Sequence, residues 1–125
     1  MKGFGELESV IMELLWSRDT SATVREIHTD LTVRRQLAYT TVLTVMDNLY
    51  KKGWLRREPA GRAYRYRPVM SREQHSANLM REALDASGDP GTALLGLIGQ
   101  LSPAQAAALR AALAAHDSGA DESAG

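Results

Sequence analysis

The chain contains no cysteine. Disulfide frameworks, thiolate metal sites and cysteine nucleophiles are therefore excluded. No run approaches the roughly 18 apolar residues of a membrane span. The opening Met1-Lys2-Gly3-Phe4-Gly5-Glu6 lacks an apolar signal core, so a cytoplasmic protein without stable membrane association is expected. Catalytic signatures are missing too: there is no Gly-rich phosphate loop, nucleophile elbow or His-Glu-x-x-His. His28, His75 and His116 stand apart in separate segments with no companion at metal-ligand spacing, and read as structural or surface residues. Glu6, Glu8 and Glu13 read as a solvated helix face rather than an acid/base pair. No enzyme, cofactor or metal site is expected.

Net charge is also missing, with fifteen Lys/Arg against fifteen Asp/Glu, but the balance is uneven along the chain. Residues 1–70 hold twelve basic and eight acidic residues; residues 71–125 hold three and seven. Between Arg34 and Arg67, nine basic residues (Arg34, Arg35, Lys51, Lys52, Arg56, Arg57, Arg62, Arg65, Arg67) face only Asp47 and Glu58. Such a local excess suits a polyanion.

That basic stretch has a recognisable form. A helix beginning at Ala38-Tyr39-Thr40-Thr41 keeps Val42, Val45, Met46 and Leu49 on one face and stops at Lys51-Lys52-Gly53, where Gly can adopt positive φ. Two alternating runs follow, Trp54 to Glu58 and Ala63 to Arg67, joined by Pro59-Ala60-Gly61-Arg62 as a hairpin. Tyr64 and Tyr66 share one face of the second run and are expected to pack on the first and third helices. Upstream, Leu7, Val10, Ile11, Leu14 and Leu15 form the stripe of a first helix closed by Trp16. Thr23-Val24-Arg25-Glu26 has the form of a capping box opening a short second helix with Val24, Ile27 and Leu31 inside. Helix, short helix, turn, longer helix and hairpin together make a winged helix-turn-helix DNA-binding domain over residues 1–70.

The composition changes after Pro68. Ser71-Arg72-Glu73-Gln74 opens a helix reaching about Ser87, and Gly88-Asp89-Pro90-Gly91 interrupts it. Ala93 to Leu101 is apolar nearly all round, and Ser102-Pro103-Ala104-Gln105 starts a last helix. A helix without a polar face must be covered on every side. Residues 71–116 therefore read as a helical dimerisation region, with Met80, Leu84, Leu94, Leu95, Leu97, Ile98, Leu101, Leu109 and Leu113 at the seam. Residues 117–125 are expected to be a disordered tail. The fold class is mainly α with a small β-hairpin.

In a helix-turn-helix the third helix enters the major groove. Thr40, Thr41, Leu43, Thr44 and Asn48 are the candidates for base reading: hydroxyls to phosphates or bases, Asn48 to an adenine edge, Leu43 to a thymine methyl. Tyr39, Lys51, Arg56, Arg57, Arg62 and Arg65 are the candidates for phosphate. Asp47 should repel phosphate, hold basic neighbours in place, or accept from a cytosine amino group.

Three blocks resemble the penicillinase repressor family (BlaI/MecI type): Gly5-Glu6-Leu7-Glu8 with the stripe ending Leu14-Leu15-Trp16; Ala38-Tyr39-Thr40-Thr41-Val42 through Asn48-Leu49-Tyr50-Lys51-Lys52-Gly53; and Gly61-Arg62-Ala63-Tyr64-Arg65-Tyr66-Arg67-Pro68. The resemblance spans roughly residues 5 to 115. It implies a homodimeric repressor on an inverted-repeat operator, silencing genes of the β-lactam-resistance type and its own operon. Such repressors are released when a membrane-bound sensor protease triggers cleavage in the dimerisation segment. Thr41 and Thr44 match threonines of the family's reading helix. Leu43 and Asn48 stand where several members place Arg, so the operator preference is expected to differ in detail. The cleavage position maps to Gly96-Leu97, where the Asn-Phe of staphylococcal members is absent. The copper-responsive branch carries a C-terminal cysteine motif, which this chain lacks. Two other readings fit the same sequence: a winged-helix protein-interaction module gripping an acidic partner, and a regulator answering a small-molecule signal.

Overall fold

A computed structural model describes residues 4–124, with side chains described for residues 4–119. Nine elements run in the order α1 (Glu6–Trp16), β1 (Ala22–Thr23), α2 (Val24–Thr32), α3 (Tyr39–Lys51), β2 (Leu55–Ala60), β3 (Ala63–Pro68), α4 (Arg72–Ala86), α5 (Pro90–Ile98) and α6 (Pro103–Ala124). They divide into two compact units, one through Met80 and one from Arg81, with the division inside α4.

The first unit is a winged helix. Its core is Ile11, Met12 and Leu15 of α1, Ala22 of β1, Val24, Ile27 and Leu31 of α2, Val42, Met46 and Leu49 of α3, Leu55 of β2 and Tyr66 of β3. Each large side chain buried this way contributes about 1.5–3 kcal/mol. Leu7, Val10, Leu14 and Val45, expected in the core, are partly buried against it. Met12, outside the expected stripe, is fully inside.

Local chemistry explains the boundaries. The Thr23 hydroxyl caps α2 by accepting from the Glu26 amide at 3.1 Å, but Glu26 does not reach back to complete the box; its carboxylate binds Arg18 and Arg65 instead. Gly53 ends α3 with φ +89°. The hairpin turn is shorter than its sequence suggests. Ala60 pairs with Ala63, so Gly61 (φ +65°) and Arg62 alone make the loop, and Pro59 and Ala60 lie in β2. Pro59 is tolerated because β2 is an edge of the sheet, whose order is β1-β3-β2. Both strands of the wing are antiparallel to each other, as are β1 and β3.

The first turns of α4 belong to this unit. Ser71 and Gln74 exchange amide-to-side-chain bonds at 3.1 Å in a complete capping box. His75 is then buried among Phe4, Trp16 and Trp54, with ring centroids 4.7 to 5.3 Å away. The Trp16 indole N–H donates to the Met70 carbonyl at 3.0 Å.

In the second unit, α5 begins three residues earlier than its apolar run implies. The Asp89 carboxylate accepts from the Thr92 amide and Pro90 takes the first helical position, so the expected interruption is a helix start, with Gly88 (φ +81°) behind it. A second complete box, between Ser102 and Gln105, opens α6. That helix runs to Ala124, through the segment expected to be a disordered tail. None of the described side chains from Arg81 onward is buried within the chain.

Candidate nucleic-acid interface

The exposed side of α3 is the natural centre of the site. Thr40, Thr41, Leu43, Thr44 and Asn48 are all exposed, on the face opposite Val42, Met46 and Leu49. The structure thus brings all five candidate base readers onto one accessible helix surface. His28 supports the start of that helix. Its Nε2–H donates to the Leu37 carbonyl at 2.7 Å, and its ring meets Tyr39 edge-on at 5.8 Å. Tyr39 is thereby held at the mouth of the site.

A recess of about 470 Å³ separates the N-terminal half of α3 from the wing. Its lining includes Tyr39 and Leu43 of α3, Arg62 and Tyr64 of the wing, and Thr23 and Arg25 at the start of α2. Arg25 carries no sequence signal of a contact role. It sits on the exposed side of α2, and only the fold brings it to the same recess as Arg62, 37 positions away in sequence.

The six expected phosphate contacts fall into two groups. Tyr39, Lys51, Arg56 and Arg62 are exposed; Lys51 also meets Asp47 at 2.9 Å, one turn back. Arg65 is committed to the fold. Its guanidinium donates to the Ser21 hydroxyl at 2.9 Å, the Ser21 carbonyl at 2.6 Å and Glu26 at 2.9 Å, tying β3 to the start of α2. Arg57 is also engaged: its Cζ lies 4.0 Å from the Tyr50 ring centroid and 4.2 Å from that of Tyr64, and Nη1 is 3.4 Å from Asp47. Asp47 therefore holds basic neighbours in place. Of the two tyrosines expected to pack inward, Tyr66 is buried and Tyr64 is 43% exposed, close to the hairpin tip.

The register exposes a further signal. Arg56 stands directly opposite Arg67 across the wing, and both are exposed. Like charges in that position destabilise a sheet unless something anionic lies against them. Arg67 belongs to the basic cluster, and only the strand register sets it against Arg56.

The carboxylates of this unit mostly brace the fold. Burial pushes the Glu26 carboxyl up, but the hydrogen bond from Arg65 and the charges of Arg65 and Arg18 outweigh it and hold Glu26 below its ordinary value. A bond from Lys52, with a second from the Gly5 amide, holds Glu8 below its ordinary value as well. Glu13 pairs with Arg72. Of the α1 glutamates, Glu8 is a tether between elements, while Glu6 and Glu13 remain on the exposed face. Among the described residues, no three His, Asp or Glu side chains converge as metal ligands would, and no helix is long and apolar enough to cross a membrane.

The second unit presents apolar side chains. Leu94, Leu95, Leu97 and Ile98 of α5, Leu109 and Leu113 of α6, and Met80 at the end of the first unit are exposed; Leu84 and Leu101 are partly covered. Gly96 and Leu97 lie within α5, and both are accessible.

Comparison with known proteins bears on the family and the fold. The family model described as penicillinase repressor matches residues 4–115. Transcriptional regulator BlaI from two strains of Mycobacterium tuberculosis is 42% identical over 118 residues, covering 92% of this chain and 86% of the relative. The solution structure of the DNA-binding domain of the repressor BlaI is 25% identical with a TM-score of 0.51, covering 58% of this chain and 90% of that domain.

Proposed function

Since the chain belongs to the penicillinase repressor family, we propose that it is a transcriptional repressor that binds an inverted-repeat operator as a homodimer. The observation that carries this reading is the exposed face of α3, with Thr40, Leu43, Thr44 and Asn48, beside a recess flanked by Arg25 and Arg62. Hydroxyl, amide and apolar groups on one helix suit base edges in a major groove. Exposed cations in the lining of that recess suit the phosphates next to the bases.

The homodimer is supported by the second unit. Six large apolar side chains from Leu94 to Leu113 lie exposed on α5 and α6, where none of the described side chains is buried. Such a surface is costly in water and is covered by an identical surface in a two-fold pair. Two α3 helices about one turn of DNA apart then read the two halves of a palindrome. Genes of the β-lactam-resistance type and the repressor's own operon are the proposed targets, in the cytoplasm. Disruption of the apolar region releases the operator. The accessible Gly96-Leu97 step, or another bond of that segment, is the place for a membrane-bound sensor protease to act. Gly96 favours such opening, since Gly costs a helix about 1 kcal/mol relative to Ala.

The test is binding to a duplex selected from a random-sequence library by the full-length chain, followed by anisotropy over a salt series. Arg25→Gln and Arg62→Gln should each weaken binding to any duplex and lower the salt slope by about one. Asn48→Ala should weaken the selected duplex alone, by about 1–3 kcal/mol. Equal affinity for every sequence in the wild type would remove the sequence-specific reading.

A further inference from the structure

The geometry points to Arg57 as a positioning residue that fixes the wing against the reading helix, rather than as a phosphate contact. The inference rests on the DNA-binding reading above and concerns how the two DNA-facing elements are held in register.

The wing leaves α3 through Lys52-Gly53-Trp54. At its base, Leu55 and Tyr66 are anchored in the core. Towards its tip, Pro59, Gly61, Arg62, Ala63 and Tyr64 are exposed, and no residue there joins the core. Arg57 lies between these regions. It pairs with Tyr66 in register, so its side chain shares the inner face of the sheet with Tyr64, its diagonal neighbour. Tyr50 and Asp47 come from the last two turns of α3. The guanidinium, carried on β2, therefore touches side chains of α3 and β3 at once: the Tyr50 ring at 4.0 Å, the Tyr64 ring at 4.2 Å and the Asp47 carboxylate at 3.4 Å. Planar guanidinium stacks on aromatic faces where a lysine ammonium cannot. With two rings against the flat cation and a carboxylate on its edge, the Arg57 side chain is three-quarters covered. These contacts leave little of it for a phosphate.

Asp47 fits the same role. An acidic group on the DNA-facing side of a reading helix is unfavourable by charge alone. Here its two oxygens hold Lys51 and Arg57, so its negative charge is answered on the spot. The tie sets the angle at which Arg62 at the wing tip stands relative to Thr40 and Thr44. That angle matters only when both elements must engage together, as on a specific site.

The consequence is a split between specific and non-specific binding. On the library-selected duplex, Arg57→Lys should lose about three- to tenfold in affinity, the worth of one to two stacked contacts. On a duplex of mixed sequence it should match the wild type, because the charge is retained. The salt slope should be unchanged on both. Tyr50→Leu removes one ring, leaves Arg57 in place and should give the same pattern; it decides the matter if the lysine variant proves unfolded by thermal melting. A contact role predicts otherwise: Arg57→Lys would bind the selected duplex like the wild type, or Arg57→Gln would lower the slope on mixed sequence by about one, as Arg62→Gln does. Either result overturns the assignment while leaving DNA binding intact. Failure of the wild type to bind either duplex would instead overturn the DNA reading, and this role with it.

Discussion

Arg65 donates to Ser21 and Glu26, partners 44 and 39 positions away, and nothing in the sequence of β3 announces them. Charge counting places it with the phosphate contacts; the fold makes it a tie between the sheet and α2. Hydrogen bonds to charged groups contribute about 1.5–3 kcal/mol when removed, and half-exposure brings that down. Arg65→Ala should accordingly cost about 1 kcal/mol in urea unfolding, with Glu26 left without its partner. Its effect on the salt slope of DNA binding should be small. Arg25 is the opposite case. It reads as an ordinary exposed helix residue, yet the fold sets it in the lining of the same recess as Arg62. The exposed positions of Thr40, Thr41, Leu43, Thr44 and Asn48 were legible because exposure opposite a buried helical stripe is a local property. The division of the arginines into free and engaged was not, because each partner comes from another element.

Elements were legible where one rule governs them. Period-3.6 stripes located α1, α2 and α3, and Ser-x-x-Gln boxes located the starts of α4 and α6. Misplacement arose where one residue has two meanings. Pro59 reads as a turn, but at a sheet edge it continues the strand; Asp89-Pro90 reads as a break, but it caps and starts α5. Tyr64 and Tyr66 share a face, and only the one nearer the base of the wing reaches the core. The carboxylates linking these elements make stability depend on acid. Glu8 ties α1 to the end of α3, and Glu26 ties α2 to β3; both are depressed below the ordinary 4.5 in the folded chain. A depressed carboxyl contributes stability that is present above its unfolded value and lost as pH falls through its folded value. The urea midpoint should therefore hold steady above about pH 5 and fall below 4.5. Glu26→Gln should be less stable at neutral pH and should lose less on acidification; an unchanged acid limb would show that Glu26 has no such role.

At the scale of the whole molecule, the chain joins one unit with a complete core to one without. The first closes on twelve buried residues. The second buries none of its described side chains, and Leu95 is 71% exposed. That contrast was legible in outline, since an apolar run without a polar face can be recognised in one dimension. The partner that covers it cannot. If an identical surface covers it, pairing and DNA binding are one property: a single copy reads only half a site and forfeits the gain from linking two. The most direct measurement is sedimentation velocity of the wild type and Leu95→Asp, free and on the library-selected duplex, with binding measured in parallel. The wild type should sediment as a dimer and place two chains on one duplex with half-sites about 10 base pairs apart. Leu95→Asp, which puts a charge into the seam, should sediment as a folded monomer and lose about a hundredfold or more in affinity. A wild-type monomer that binds one chain per duplex, or a Leu95→Asp monomer that binds the selected duplex as tightly as the wild type, would contradict a dimeric, operator-reading repressor.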